Sequence, residues 1–132
     1  MQDIAIGIAG AGTVGGGVVK ILHRRLSGIR KELGLPVRVA RIVDKDKSRL
    51  ERLPAGEASC SADVQDILND GSIRIVIELI GGTGVAREFV LAALSRKKHV
   101  ITANKALLAE HGPQIFDLNL FAVWTIFEAG RA

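Results

Sequence analysis

The chain has 132 residues, of which 48% are apolar and 24% charged; this suits one globular domain and excludes a disordered chain. Eighteen basic against fourteen acidic residues give a net charge of +4, with aromatics at only 4%. Stacking platforms for nucleic-acid bases are therefore scarce, and the charge reads as solvated surface that also suits a small anionic ligand.

In chain order, residues 3–9 alternate isoleucine with small residues and end on a glycine-rich turn, which predicts a buried strand. Apolar residues at Val14, Val18, Leu22, Leu26, Ile29 and Leu33 form one stripe of a long helix that Gly34 and Pro36 end. Residues 37–43 alternate and are β-branched, predicting a second strand. Residues 46–60 are polar and irregular, with room for a short helix over 48–53, and Ser61 opens a short helical pattern carrying Val64, Ile67 and Leu68. Asn69-Asp70-Gly71-Ser72 signals a turn.

Residues 73–80 are a nearly continuous aliphatic run, as expected of a central parallel strand covered on both faces. A helix follows over 85–97, where Arg96, Lys97 and Lys98 complement the C-terminal dipole. Residues 99–102 predict a short strand and 106–110 a helix that His111-Gly112-Pro113 breaks. Residues 120–127 predict a last strand. Alternating strands and helices give an α/β class with a mostly parallel sheet.

Gly10-Ala11-Gly12-Thr13-Val14-Gly15 is a G-x-G-x-x-G between a predicted strand and a predicted helix, the context that turns a weak pattern into a dinucleotide-binding signature. The first glycine permits the tight turn, the second admits a diphosphate, and the third allows close helix–strand packing. Asp44 ends the second strand, where an acid commonly accepts from a ribose, and stands 29 residues after Gly15. An acid favours NAD, whereas Lys45 and Lys47 beside it suit the 2′-phosphate of NADP, so both cofactors stay open.

Gly81-Gly82-Thr83 follows the strongest strand and Thr102-Ala103-Asn104-Lys105 the next one. Both point to the sheet edge where such folds bind ligands. Plainer readings are a tight turn for the glycines and a helix cap for Asn104. Glu78, inside the strongest strand, needs hydrogen-bond partners. His23, His99 and His111 lack metal-ligand spacing. Cys60 is the only cysteine, which excludes an internal disulfide and reads as an idle thiol. Neither a spanning apolar stretch nor a basic leader is visible, so the cytoplasm is the expected location.

Three segments together, residues 7–19, 76–83 and 99–109, resemble homoserine dehydrogenase in order and register. The resemblance implies a Rossmann-like, doubly wound αβα domain over residues 1–132 that binds NAD or NADP. The family interconverts L-homoserine and L-aspartate 4-semialdehyde in threonine and methionine biosynthesis. On that resemblance Gly10, Gly12, Thr13, Val14 and Gly15 hold the diphosphate and Lys45 approaches the adenosine ribose. Gly81, Gly82 and Thr83 line the nicotinamide side, with Lys105 at the junction with substrate; Asn104, from its place at the same sheet edge, can hydrogen-bond the cofactor or orient a substrate.

Glu128 matches the start of a family segment that binds a monovalent cation, although Gly130-Arg131-Ala132 departs from it. The family's catalytic lysine and aspartate lie in a later domain, which usually also forms the dimer. The expectation is thus a nucleotide-binding portion without turnover of its own, its parent a homo-oligomer, with no nucleic-acid or membrane partner. A stand-alone nucleotide-sensing module, and another amino-acid dehydrogenase of the same cofactor fold, are the alternatives.

Overall fold

Isoleucine alternates with alanine and glycine along β1 (Ile4–Ala9), and this strand is the centre of the sheet. The computed structural model describes residues 3–117 and 123–125. In chain order β1 is followed by α1 (Thr13–Leu33), β2 (Val37–Val43), α2 (Lys47–Glu51), β3 (Ser59–Ser61) and α3 (Gln65–Leu68). Then come β4 (Ile73–Glu78), α4 (Val85–Ser95), β5 (His99–Thr102), α5 (Lys105–Asp117) and β6 (Val123–Thr125). The strand order is β3-β2-β1-β4-β5-β6 and every pairing is parallel. This is the parallel sheet that the alternation of elements predicts, in the doubly wound order that the resemblance implies.

The two faces of β1 meet different layers. Ile6 and Ile8 pack with Val19 of α1 and Leu50 of α2, whereas Ala5 and Ala9 belong to the core built on α3, α4 and α5. Small residues are needed on that second face because α3 comes close. A Cβ at Gly7 would stand 2.9 Å from Ile67 Cγ2, and Ile67 is fully buried.

Three segments differ from the expectations. Residues 59–61 form an edge strand paired with Arg41–Val43, although Ser-Cys-Ser carries no apolar alternation. Ser61 accordingly ends this strand; the helix begins at Gln65, whose N–H donates to Asp63 Oδ1 at 2.8 Å. α5 runs through Gly112 and Pro113 to Asp117. Interior proline costs a helix about 3 kcal/mol, but here Leu107 and Ile115 on either side of it are buried in the core. Arg87 of α4 also donates to Gln114 Oε1 at 2.8 and 3.1 Å.

At the edge where the strands begin, Asp70 closes the turn into β4. Its carboxyl accepts from the Ser72 hydroxyl at 2.6 Å, the Ser72 N–H at 3.0 Å and Arg41 Nε at 3.1 Å. Lys98 does not merely face a helix end. It is buried, and its Nζ donates to the carbonyls of Asp70 and Ile73 at 2.9 and 2.7 Å. Desolvation lowers the Lys98 pKa.

Two outcomes follow. Gly7→Ala should cost about 1–3 kcal/mol by overpacking against Ile67, read as a lower urea midpoint. The Ser72 hydroxyl, then its N–H and Arg41, hold the Asp70 carboxyl below the usual carboxylate range. That stabilisation is present above the unfolded pKa and is lost as pH falls through the lowered folded value. Asp70→Asn should therefore flatten the acid limb of stability against pH, and an unchanged limb would refute the assignment.

Candidate functional site

The chain leaves β1 toward β2 and β3 on one side of the sheet and enters β4, β5 and β6 on the other. The crevice outside the carboxyl ends of β1 and β4 is therefore the topological switch point, where open α/β sheets bind ligands. Gly10 turns the chain there with φ +105°, and a Cβ on it would overlap the Leu79 carbonyl beyond β4. A Cβ on Gly15 would overlap the Gly10 carbonyl. These two glycines let helix, turn and neighbouring strand approach one another.

Gly12 is different: the nearest atom to a Cβ there is Arg49 Nη1 at 3.6 Å. It stands at the start of α1, where no side chain caps the helix and no acid lies in the first turn. Such a helix end offers unclaimed N–H groups and a positive dipole to an anion. Thr13 and Val14, the next residues, are exposed.

Asp44 lies at the end of β2 and is nearly buried. Its Oδ2 accepts from Ala11 N–H at 2.7 Å and its Oδ1 from Asp46 N–H at 2.7 Å. The acid thus pins the glycine turn to β2. Arg49 Nη1 pairs with it at 3.5 Å. Asp46 caps α2 by accepting from Ser48 N–H and Oγ, and the Ser48 hydroxyl first of all holds the Asp46 carboxyl below its usual range. That cap sets α2 so that Arg49 reaches back over Asp44. Arg49 was not singled out from the sequence; the Asp-x-Ser capping pattern just before it was the available signal.

Two cavities flank the glycine turn. One, of about 350 Å³, is lined by Gly10, Gly12, Asp44, Lys45, Arg49 and Val64 among others. Lys47 is not among its lining residues. The other, of about 330 Å³, is lined by Val14, Glu78, Leu79, Gly81, Ala103, Asn104 and Lys105. Gly82 and Thr83 lie outside that lining, but the Gly82 carbonyl accepts from Asn104 Nδ2 at 2.6 Å. Asn104 Oδ1 also accepts from Leu107 N–H at 3.0 Å, so Asn104 caps α5 and ties down the glycine loop together.

Glu78 finds the partners a buried acid requires in Ile80 N–H, at 2.8 Å, and the Thr102 hydroxyl, at 2.6 Å. The described residues hold no group of three His, Cys, Asp or Glu side chains fit for a metal ion. Desolvation raises the Cys60 thiol pKa, which makes it a poor nucleophile at neutral pH. Glu128 lies outside the described residues, as does most of the predicted strand over 120–127.

The family model for the homoserine dehydrogenase NAD-binding domain matches residues 10–121. The chain belongs to this family. Homoserine dehydrogenase of Methylobacillus glycogenes is 42% identical over 109 residues, covering 83% of this chain and 26% of that protein. The Pseudomonas aeruginosa enzyme is 40% identical, covering 88% of this chain and 26% of that protein. The crystal structure of a homoserine dehydrogenase from Thiobacillus denitrificans superposes with a TM-score of 0.85 at 38% identity, covering 95% of this chain and 30% of that one.

The chain spans about a quarter of the length of the curated relatives it matches. An NAD binding oxidoreductase from Klebsiella pneumoniae, at 20% identity and a TM-score of 0.72, shares the fold.

The glycines should separate by experiment. Gly15→Ala should cost about 3 kcal/mol of stability, because backbone must move. Gly12→Ala should melt close to the original chain yet bind NADH roughly tenfold more weakly. Equal melting temperatures for the two variants would refute the division of roles.

Proposed function

We propose that this chain holds a nicotinamide dinucleotide across the switch point, as the cofactor-binding part of an enzyme interconverting L-homoserine and L-aspartate 4-semialdehyde. The observation that carries the reading is the open, uncapped start of α1 at Gly12 between two cavities on either side of the glycine turn. The diphosphate fits at Gly10, Gly12, Thr13, Val14 and Gly15. The adenosine half fits the cavity of Asp44, Lys45 and Arg49. The nicotinamide half fits the cavity of Val14, Gly81, Asn104 and Lys105, with Gly82 bonded to Asn104 and Thr83 next in the chain.

The nicotinamide ring, when bound, supplies the hydride chemistry. The chain's own task is to orient it. Gly12 lets the diphosphate reach the backbone, and the α1 dipole favours the negative charge. Val14, 59% exposed, offers an apolar surface beside the second cavity. Lys105 stands at the first helical position of α5 and lines that cavity. We assign homoserine binding, transfer of the hydroxyl proton and homo-oligomer formation to the part of the relatives this chain does not span.

NADP fits as well as NAD. Asp44 is committed to two backbone N–H groups and to Arg49, so its charge is largely answered inside the protein. Lys45 and Arg49 are both exposed at the cavity and can meet a 2′-phosphate. We place the protein in the cytoplasm on its resemblance to biosynthetic enzymes. Among the described residues no helix is long and apolar enough to cross a membrane. Glu128 remains the proposed ligand of a monovalent cation, on the family resemblance alone.

Calorimetric titration tests the reading. The chain should bind NADH and NADPH saturably and show no homoserine oxidation by itself. Lys45→Ala or Arg49→Ala should weaken NADPH roughly tenfold and NADH much less. Absence of binding to either cofactor would overturn the reading, and an unchanged NADPH affinity would remove the 2′-phosphate assignment.

A further inference from the structure

We propose that Glu78 and Thr102 are positioning residues that lock the two loops of the nicotinamide-side cavity into one fixed geometry. The inference rests on the dinucleotide reading above. Glu78 ends β4 and Thr102 ends β5, and the two are paired in register across the sheet. Both are fully buried, on strands otherwise built largely of aliphatic residues. Valine or isoleucine at either position would continue the strand without the cost of burying polar groups.

Their hydrogen bonds form a ring that passes through both loops. Glu78 Oε2 accepts from Ile80 N–H at 2.8 Å, which fixes the start of the Gly81–Gly82 turn. Asn104 Nδ2 donates to the Gly82 carbonyl at 2.6 Å, and Asn104 N–H donates to Thr102 Oγ1 at 3.0 Å. The Thr102 hydroxyl, already accepting from Asn104, sends its own proton to Glu78 Oε1 at 2.6 Å. The ring closes there. Gly81 and Gly82 hold φ of +83° and +69°, yet neither would have a neighbour within 4 Å of a Cβ. Packing therefore does not dictate that turn, and the ring does.

Two members of the ring, Glu78 and Asn104, line the cavity of about 330 Å³, and the Asn104–Gly82 bond holds the glycine loop to the start of α5, where Lys105 stands. Preformed walls spare a ligand the ordering of loops. Of the ring's members only Ile80 also lines the adenosine cavity at Asp44 and Arg49; Glu78, Thr102, Asn104 and Gly82 do not. Loss of the Thr102 hydroxyl, which among the described residues bonds only Glu78 and Asn104, should therefore weaken the nicotinamide half of the cofactor and spare the rest.

The test compares NADH with ADP-ribose, which lacks nicotinamide, by calorimetry on the chain. Thr102→Val keeps the shape and removes the hydroxyl; Thr102→Ser keeps the hydroxyl. T102V should raise the Kd for NADH roughly tenfold and hold that for ADP-ribose within about twofold, and T102S should match the original chain on both. Glu78→Gln, which keeps the volume but offers only one acceptor oxygen, should show the same split in weaker form.

If both variants lose the two ligands in step, or change neither, Glu78 and Thr102 are not positioning residues for this site. Failure of T102S to restore NADH binding would overturn the hydroxyl's role. Failure of the original chain to bind either ligand would remove the dinucleotide reading and this inference with it, which separates the two.

Discussion

Where β1 ends, the backbone must leave the middle of a parallel sheet and enter α1 within three residues. Strands β2 and β4 flank that exit on both sides. Gly10 N–H reaches the Val43 carbonyl at 2.8 Å, and Leu79 N–H reaches the Ala9 carbonyl at 2.8 Å. A side chain at Gly10 or Gly15 would collide with backbone that cannot retreat. The open end of α1, the two cavities beside it and the direction of the helix dipole all depend on this crowded exit.

Two buried acids answer the same problem at neighbouring strand ends. Asp44 after β2 and Glu78 at the end of β4 each use one oxygen for the N–H two residues ahead, at Asp46 and Ile80. Each gives the other oxygen to a different segment: Asp44 to Ala11 in the glycine turn, Glu78 to Thr102 on the next strand. A buried carboxyl is costly unless its acceptors are filled, and here the filling partners are the loops that shape the crevice. The adenosine side and the nicotinamide side are therefore built by parallel means, with cations added at the first (Lys45, Arg49) and a capping amide at the second (Asn104).

Much of this was legible from residue patterns, and the exceptions have physical causes. The glycine spacing and the aliphatic run over 73–80 are local signals that tertiary contacts reinforce. β3 was not legible, since a three-residue edge strand of Ser-Cys-Ser is held by β2 and not by its own side chains. The continuation of α5 past Pro113 contradicts local propensity; buried Leu107 and Ile115 on one helix face outweigh the lost backbone bond. Lys98 looked like part of an exposed basic run, yet two carbonyls from the Asp70 turn and β4 draw it inside.

The sequence by itself determined the α/β alternation, the position of the glycine turn and the family resemblance, because those depend on residue type and spacing along the chain. Only the tertiary structure decided which partners the acids take. Asp44 and Ala11 are 33 residues apart and Glu78 and Thr102 are 24 apart. It likewise brought Arg49 over Gly12 and Asn104 onto Gly82, turning separate candidates into two walled cavities. Periodicity can place a residue at a strand end. Which backbone N–H fills its carboxyl is set by the order in which the strands lie side by side, and that order is written in no local stretch.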